Sequence, residues 1–377
     1  MFKPSYNIDF DNNKLSGKKS LKSSYNYSLI IDFDNNKLSG KTSWKSPSNI
    51  ALIKYWGKKD LQTPMNPSLS LTLNDCHTIT DVSYNLNSNG FKYEFFFENK
   101  LKPDFNKKLD IFFSRILDYF PFLNKVFLKI NSTNTFPHSS GIASSASAFS
   151  SLALCLVDIE KSITVSNDFH NKASFISRLG SGSASRSIFG PAAMWGKTNL
   201  IANSNDYYSI PFKLSNFFKE YHDTILIIDE SSKSVSSSLG HDLVKNHQFK
   251  SNRINQVNLN LKKLIKSIDE NDKNEFSKII ENEALTLHAM MLTSNPSFIL
   301  FKPNTINIIN KVWDFRKSND TSLCFTLDAG ANVHLLYHKN DYKSVQDFIK
   351  NELLSYCFNG KHINDKVGSG PEKINLK

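Results

Sequence analysis

Residues that handle phosphate and carboxylate groups gather in four short stretches of this chain. Thr135-Phe-Pro-His-Ser-Ser-Gly-Ile-Ala-Ser-Ser-Ala-Ser147 is a loop of small residues running straight into a helical pattern. A helix start presents unpaired N–H groups and the positive end of its dipole, and small side chains let a phosphate approach them. Taken alone, a serine-rich helix entry is more often plain capping. Ser177-Arg-Leu-Gly-Ser-Gly-Ser-Ala-Ser-Arg-Ser-Ile-Phe-Gly190 packs serines, three glycines and two arginines into fourteen residues. Glycines allow close backbone approach, and a guanidinium can clamp a carboxylate with two parallel bonds. A flexible surface loop is the bland alternative, but the continuation through Ile188, Phe189 and Trp195 is too apolar for one.

Two further stretches add a base and a cation. In Thr326-Leu-Asp-Ala-Gly-Ala-Asn332 an acidic residue follows a strand pattern, although Asp-x-Gly is also ordinary turn chemistry. In Asn49-Ile-Ala-Leu-Ile-Lys-Tyr-Trp-Gly-Lys58, residues 50–53 read as a buried strand with Lys54 at its end. A lone lysine there would more often reach back to solvent. The Walker pattern GxxxxGK[ST] occurs nowhere in the chain, so nucleotide chemistry would need a different cradle.

The elements that must position these stretches follow from periodicity. Alternation predicts strands at 68–73, 78–84 and 91–97, the last two joined by an Asn89-Gly90 turn, and a further strand at 125–130. Apolar spacing predicts a helix over 104–120 and another carrying Ile142, Ala146, Phe149, Ala153 and Leu156 on one face. A strand at 223–229, helices within 252–292, 304–317 and 343–356, and strands at 322–327 and 333–337 complete the pattern. Strands first, then mixed helices and strands, indicate an α+β protein in two lobes joined near residue 220.

Composition narrows the class. With 377 residues, 40% hydrophobic and 21% charged, the chain has the make-up of a globular protein with a sizeable core. No apolar run approaches the ~18 residues that span a bilayer, and residues 1–22 lack a signal-peptide pattern, so cytoplasmic residence is expected. Cys76, Cys155, Cys324 and Cys357 lie far apart, which fits free thiols rather than a zinc cluster. The net charge of +11 suits polyanions, whether nucleic acid, a membrane surface or phosphorylated small molecules, and does not choose among them. Part of it is local, since residues 1–45 hold eight Lys against four Asp, and a solvated basic tail explains it better than a nucleic-acid surface. Asp9–Lys18 recurs unchanged as Asp32–Lys41, and two copies are too few for a solenoid.

Together, Asn49–Lys58, Phe136–Ala146, Gly180–Ser187 and Asp328–Asn332 stand in the order found in diphosphomevalonate decarboxylases, and the chain from about Gly40 resembles that family. Glu281–Met290 and the Gly368-Ser-Gly-Pro371 ending look like it too. The family belongs to the superfamily of galactokinase, homoserine kinase and mevalonate kinase. The resemblance implies a two-lobed small-molecule kinase fold, with a ribosomal protein S5 domain 2-like N-terminal lobe and a ferredoxin-like C-terminal lobe. Residues 1–41 would be a leader, 42–219 the ATP-binding lobe and 220–377 the lobe supplying the catalytic Asp.

The activity implied is ATP-dependent decarboxylation of mevalonate 5-diphosphate to isopentenyl diphosphate through 3-phosphorylation, releasing ADP, phosphate and CO2. Carried over residue by residue, the resemblance makes Asp328, Lys54 and Arg186 catalytic, Asp328 facing the 3-hydroxyl, Lys54 setting its charge and Arg186 holding the departing carboxylate. Tyr55, Lys58, Ser181 and Ser183 would bind the diphosphate. Asn134, Ser139, Gly141, Ser144 and Ser145 would bind ATP, with Mg2+ held through its phosphates rather than in a protein cage. Ser236 and Ser237 match a serine-rich turn near the family's active site. A homodimer is implied, and neither nucleic acid nor membrane is an expected partner. His138 replaces a small Thr, Ser185 a frequent Cys and Ala331 a frequent Pro; none removes a group the reaction needs. The alternatives are a mevalonate 3-kinase, a phosphomevalonate decarboxylase, or a non-catalytic regulatory protein on the same fold.

Overall fold

A computed structural model describes residues 38–137, 142–164, 168–230 and 237–375, with 237–239 described by backbone alone. Its first sheet opens with β1 (Gly40–Ala51), so the pairing begins within the last two residues of the expected leader. β1 runs antiparallel to β2 (Ser68–Leu86). The expected strands at 68–73 and 78–84 are the two halves of β2. Its register against β1 shifts: Pro47 faces His77 while Asn49 faces Thr72, so residues 73–76 bulge out of the pair.

Beyond β2 come β3 (Lys92–Phe97), β4 (Lys100–Leu101), α1 (Asn106–Ile116) and β5 (Val126–Asn134). The Asn89-Gly90 turn reverses the chain, with Gly90 at φ +85°, but β2 and β3 are not partners. β5 lies between them, antiparallel to β2 and parallel to β3. Turn chemistry fixes a local reversal and leaves the partner open; β5, with Val126, Leu128 and Ile130 fully buried, takes the interior place. The expected 104–120 helix is α1 flanked by single tight turns, with Leu109, Phe112, Phe113 and Ile116 inward.

α2 (Ser144–Ile163) and α3 (Phe169–Gly180) cover this sheet. α2 does not simply turn an apolar stripe inward. Ser147, Ser150 and Ser151 are buried and meet Thr78, Ser46 and Thr80 of the sheet, each at 2.6 Å between hydroxyl oxygens. Small side chains let the helix sit close, and paired hydroxyls remove the cost of burying them. Phe149, expected inward, is only partly buried. β6 (Ala192–Trp195), β7 (Ile210–Pro211) and α4 (Asn216–Lys219) lead to the second sheet.

That sheet and the helices around it are, in chain order, β8 (Tyr221–Leu226), α5 (Ser237–Leu243), α6 (Lys250–Glu270), α7 (Lys273–Leu292), α8 (Pro303–Ser318), β9 (Cys324–Thr326), β10 (Val333–His338), α9 (Tyr342–Phe348) and β11 (His362–Lys366). The order is β11-β8-β10-β9, all neighbours antiparallel. The helical stretch within 252–292 is broken at Asn271, φ +55°, where Asp272 caps α7 by accepting the Asn274 and Glu275 N–H groups at 3.0 Å. The expected 343–356 helix is α9 continued by wider and tighter turns, and β8 begins two residues before the expected strand.

The two sheets share a core. Ile50, Leu52, Leu69 and Leu71 of the first half pack with Val257, Leu261, Phe276 and Ile280 of α6 and α7. The β2 bulge is the clasp: Asp365 of β11 accepts the N–H groups of Asn74, Asp75 and Cys76 at 2.9, 2.9 and 2.7 Å. The chain then crosses β2, Gly368 N–H donating to Thr72 O at 2.8 Å, and ends as β12 (Glu372–Lys373) on the outer edge of β1. At Gly368 a Cβ would fall 2.5 Å from Leu73 O, and at Gly190 one would fall 2.4 Å from the backbone of Gly370. Gly368→Ala therefore lifts the tail from β2. It is expected to cost about 1–3 kcal/mol in urea unfolding; an unmoved midpoint would show that the tail does not wedge there.

Candidate active site

The end of β1 delivers the first group. Leu52 and Ile53 N–H both donate to Leu69 O, at 2.8 and 3.1 Å, so the ladder stops at Ala51 and the chain turns inward. Lys54 thus lies just past the strand, not at its last residue. Its side chain is 2% exposed, and its Nζ donates to Asp328 Oδ1 at 3.1 Å. Burial lowers the Lys54 pKa; Asp328 and Glu283 oppose that, and Arg186 adds to it.

Asp328 follows β9, where its carbonyl accepts two donors. Gly330 N–H donates at 2.7 Å, and His288 Nε2, its ring stacked on Phe301, donates at 3.0 Å. The residue's main chain is therefore fixed from α7, while its carboxylate stays partly accessible.

Arg186 lies on the tight helical segment Gly182–Ile188 and is buried. Its Nη1 donates to Ser68 Oγ at 3.0 Å, and Nε and Nη2 donate to Asn49 Oδ1 at 3.3 Å. The Asn49 amide donates in turn to Ser187 Oγ at 2.8 Å and Ser183 O at 3.2 Å, tying β1 to this segment. Burial pushes the Arg186 pKa down to about 10, and Asp328 lies close enough to oppose it. Three of the four stretches therefore meet in one place, with cation, carboxylate and guanidinium sharing one field.

The remaining expected residues sit around this centre. Ser145 Oγ at the start of α2 is 3.2 Å from Ser181 Oγ, which is 3.3 Å from Ser183 Oγ, so the helix entry and the serine segment form one hydroxyl row. Ser144 opens α2 after Ala143 at φ +46°, with no side-chain cap among the described residues. Asn134, at the end of β5, is held by Thr78, whose hydroxyl also meets Ser147 of α2. The Tyr55 hydroxyl is buried without a hydrogen-bond partner among the described residues, and its ring lies against Trp195 and His241. Burial also raises its pKa. Lys58, just past Gly57 at φ +94°, is half-buried and its pKa is lowered by burial. Ser139, Gly141 and Ser236 lie outside the described residues, and Ser237 is described only as the first backbone position of α5.

Several site residues escaped sequence reasoning. Glu283 accepts the Lys54 N–H at 2.9 Å. Asn49 and Ser68 hold Arg186, His288 holds Asp328, and His241 accepts the Gly57 N–H at 3.0 Å, its pKa pushed by burial down to about 3. A signal existed for Glu283, because Ile280, Glu283, Ala284 and Leu287 fall on one helical stripe. No such signal marks Ser68, whose role depends on a strand partner.

Residues 46–207 match the diphosphomevalonate decarboxylase-like N-terminal domain, and residues 224–374 match the mevalonate 5-diphosphate decarboxylase C-terminal domain. A diphosphomevalonate decarboxylase of Ganoderma lucidum is 27% identical over 317 residues, covering 79% of this chain and 78% of that protein. The crystal structure of mevalonate diphosphate decarboxylase from Staphylococcus aureus superposes with a TM-score of 0.78 at 27% identity, over 90% of this chain and 99% of that one. A structure of a protein designated MDDEF, in complex with MVAPP, AMPPCP and magnesium, gives the same TM-score and identity over 90% of this chain and all of that one. With both halves matched and the active-site stretches gathered at one centre, the chain belongs to the diphosphomevalonate decarboxylase family.

Proposed function

We infer that this protein catalyses the ATP-dependent decarboxylation of mevalonate 5-diphosphate to isopentenyl diphosphate, releasing ADP, phosphate and CO2. The observation that carries the reading is the 3.1 Å contact between buried Lys54 and Asp328, with Arg186 acting on both. A 3-hydroxy acid does not lose CO2 readily, because hydroxide is a poor leaving group; phosphorylating that oxygen makes it a good one. Asp328 orients the attacking hydroxyl and accepts its proton. Lys54 holds the carboxylate in place. Arg186, itself fixed by Asn49 and Ser68, aligns the substrate carboxylate with the departing oxygen, and alignment is worth several kcal/mol of barrier.

ATP is the phosphoryl donor. The start of α2, with no side-chain cap among the described residues, and the hydroxyls of Ser144 and Ser145 fit its phosphates, with Asn134 beside them. Ser139 and Gly141 belong to the same assignment. Mg2+, which would neutralise charge on the transferring group, would be held through those phosphates rather than by the protein. Among the described residues no group of three or more His, Cys, Asp or Glu is placed to hold a metal ion. Ser181, Ser183, Tyr55 and Lys58 take the substrate diphosphate, the Tyr55 hydroxyl, without a partner among the described residues, supporting that role; Ser236 and Ser237 are assigned beside them on family resemblance alone. The reading divides the chain into a leader (1–41), an ATP-binding lobe (42–219) and a lobe supplying the base (220–377). A homodimer, on family resemblance alone, and cytoplasmic residence are part of the proposal. Among the described residues no helix is long and apolar enough to cross a membrane.

Three measurements test these assignments. Asp328→Ala should lower kcat by ~10³-fold or more in an assay for isopentenyl diphosphate and CO2, with ATP binding retained; near-normal turnover removes Asp328 from the mechanism. The protonated form of Lys54 is the active one, so kcat should fall as pH rises through its lowered pKa. That limb should lie below the ordinary lysine value of about 10.4 and move upward in Lys54→Arg. Tyr55→Phe removes a buried hydroxyl without a partner among the described residues, so the unfolding midpoint should hold while KM for mevalonate diphosphate rises about 10- to 100-fold. An unchanged KM would place the diphosphate elsewhere.

A further inference from the structure

Two helices outside the catalytic stretches each bring a charge into the shared core. Glu283 of α7 is 0% exposed and Arg253 of α6 is 3% exposed. Their contact is bidentate: Arg253 Nη1 donates to Glu283 Oε1 at 2.9 Å and Nη2 to Oε2 at 2.7 Å. A buried pair of this kind adds little net stability over apolar side chains of the same size, because both charges lose their water. What it holds is therefore informative. Glu283 Oε2 also accepts the Lys54 N–H at 2.9 Å, and Asn260 Nδ2 donates to Oε1 at 2.8 Å. On the other side of the same residue, Arg253 Nη2 lies 3.5 Å from Lys54 O, which also accepts Asn66 Nδ2 at 3.0 Å. Both main-chain groups of Lys54 are thus gripped just after β1 has ended, where no ladder holds the backbone.

We propose that the Arg253–Glu283 pair is a positioning unit for the decarboxylation, fixing the Lys54 main chain so that its ammonium meets Asp328. This rests on the reading of Lys54 as the partner of the catalytic carboxylate. The charges facing Lys54 are Asp328 from the turn after β9, Glu283 from α7, Arg253 from α6, Arg186 from the Gly182–Ile188 segment and, further off, Asp223 from β8. Glu283 is the second carboxylate opposing the loss of the Lys54 proton to burial, so removing its charge acts on protonation as well as on place.

The test compares Glu283→Gln, Glu283→Asp, the double substitution Arg253→Met with Glu283→Met, and Lys54→Arg, by unfolding midpoint and by kcat and KM across pH. Glu283→Gln should lower kcat at least tenfold, leave KM for ATP within twofold, and shift the alkaline limb to lower pH. The double apolar variant should regain the unfolding midpoint without regaining kcat or the limb, which a purely structural pair would not do. Glu283→Asp keeps the charge but shortens the reach, so its limb should stay near the parent's while kcat falls. A double variant, or a Glu283→Asp and Glu283→Gln pair, with parental kcat and limb would overturn the proposal while Lys54→Arg still moves the limb. If Lys54→Arg leaves the limb in place, the role given to Lys54 fails first and the positioning unit with it.

Discussion

An ammonium 2% exposed and a carboxylate 26% exposed, 274 positions apart, meet at 3.1 Å, and the site depends on that contact. A lone buried lysine would shed its proton or reach for water, since removing the charge from solvent costs several kcal/mol. Here the carboxylate comes from the second sheet, so the two halves must sit in fixed register for the lysine to be tolerated. The shared apolar core and the Asp365 clasp on the β2 bulge supply that register. The return of the tail to the edge of β1 reinforces it.

The proposed phosphate cradle is arranged by a different device. α2 is brought close to the sheet by serines whose hydroxyls pair with those of β1 and β2, leaving its first turn beside the end of β5 and the Ser181 hydroxyl. Hydroxyls and backbone N–H groups suit phosphate oxygens without adding positive charge. The cations that are present are kept at specific atoms. Arg186 is held by Asn49 and Ser68, and buried Arg178 donates to the Tyr207 and Leu61 carbonyls, with burial pushing its pKa down to about 10.

Within Glu281-Asn-Glu283 the two carboxylates have separate tasks. Glu281 accepts both Arg316 nitrogens, at 2.6 and 2.9 Å, and the Trp313 indole at 2.8 Å, pinning α8 to α7. Glu283 points the other way, to Arg253 and Lys54. A two-residue step on a helix turns the side chain by about 200°, so neighbours in the chain serve opposite faces.

The sequence by itself determined the residue types of the candidate site, the strand and helix periods, and the family, because motifs and apolar spacing are local properties. Lys54, Arg186, Asp328 and the serine segment were all legible in that way. The tertiary structure alone decided which strands pair and which polar side chains face inward. Turn residues at 89–90 could not reveal that β5 would come between β2 and β3, and serines counted as polar turned out to line the interior of α2. Asn49, Ser68, Glu283 and Arg253 gain their roles only from partners on other elements, 30 to 229 positions away. Long-range pairing is chosen by burial summed over the whole core, and no short stretch of chain contains that sum.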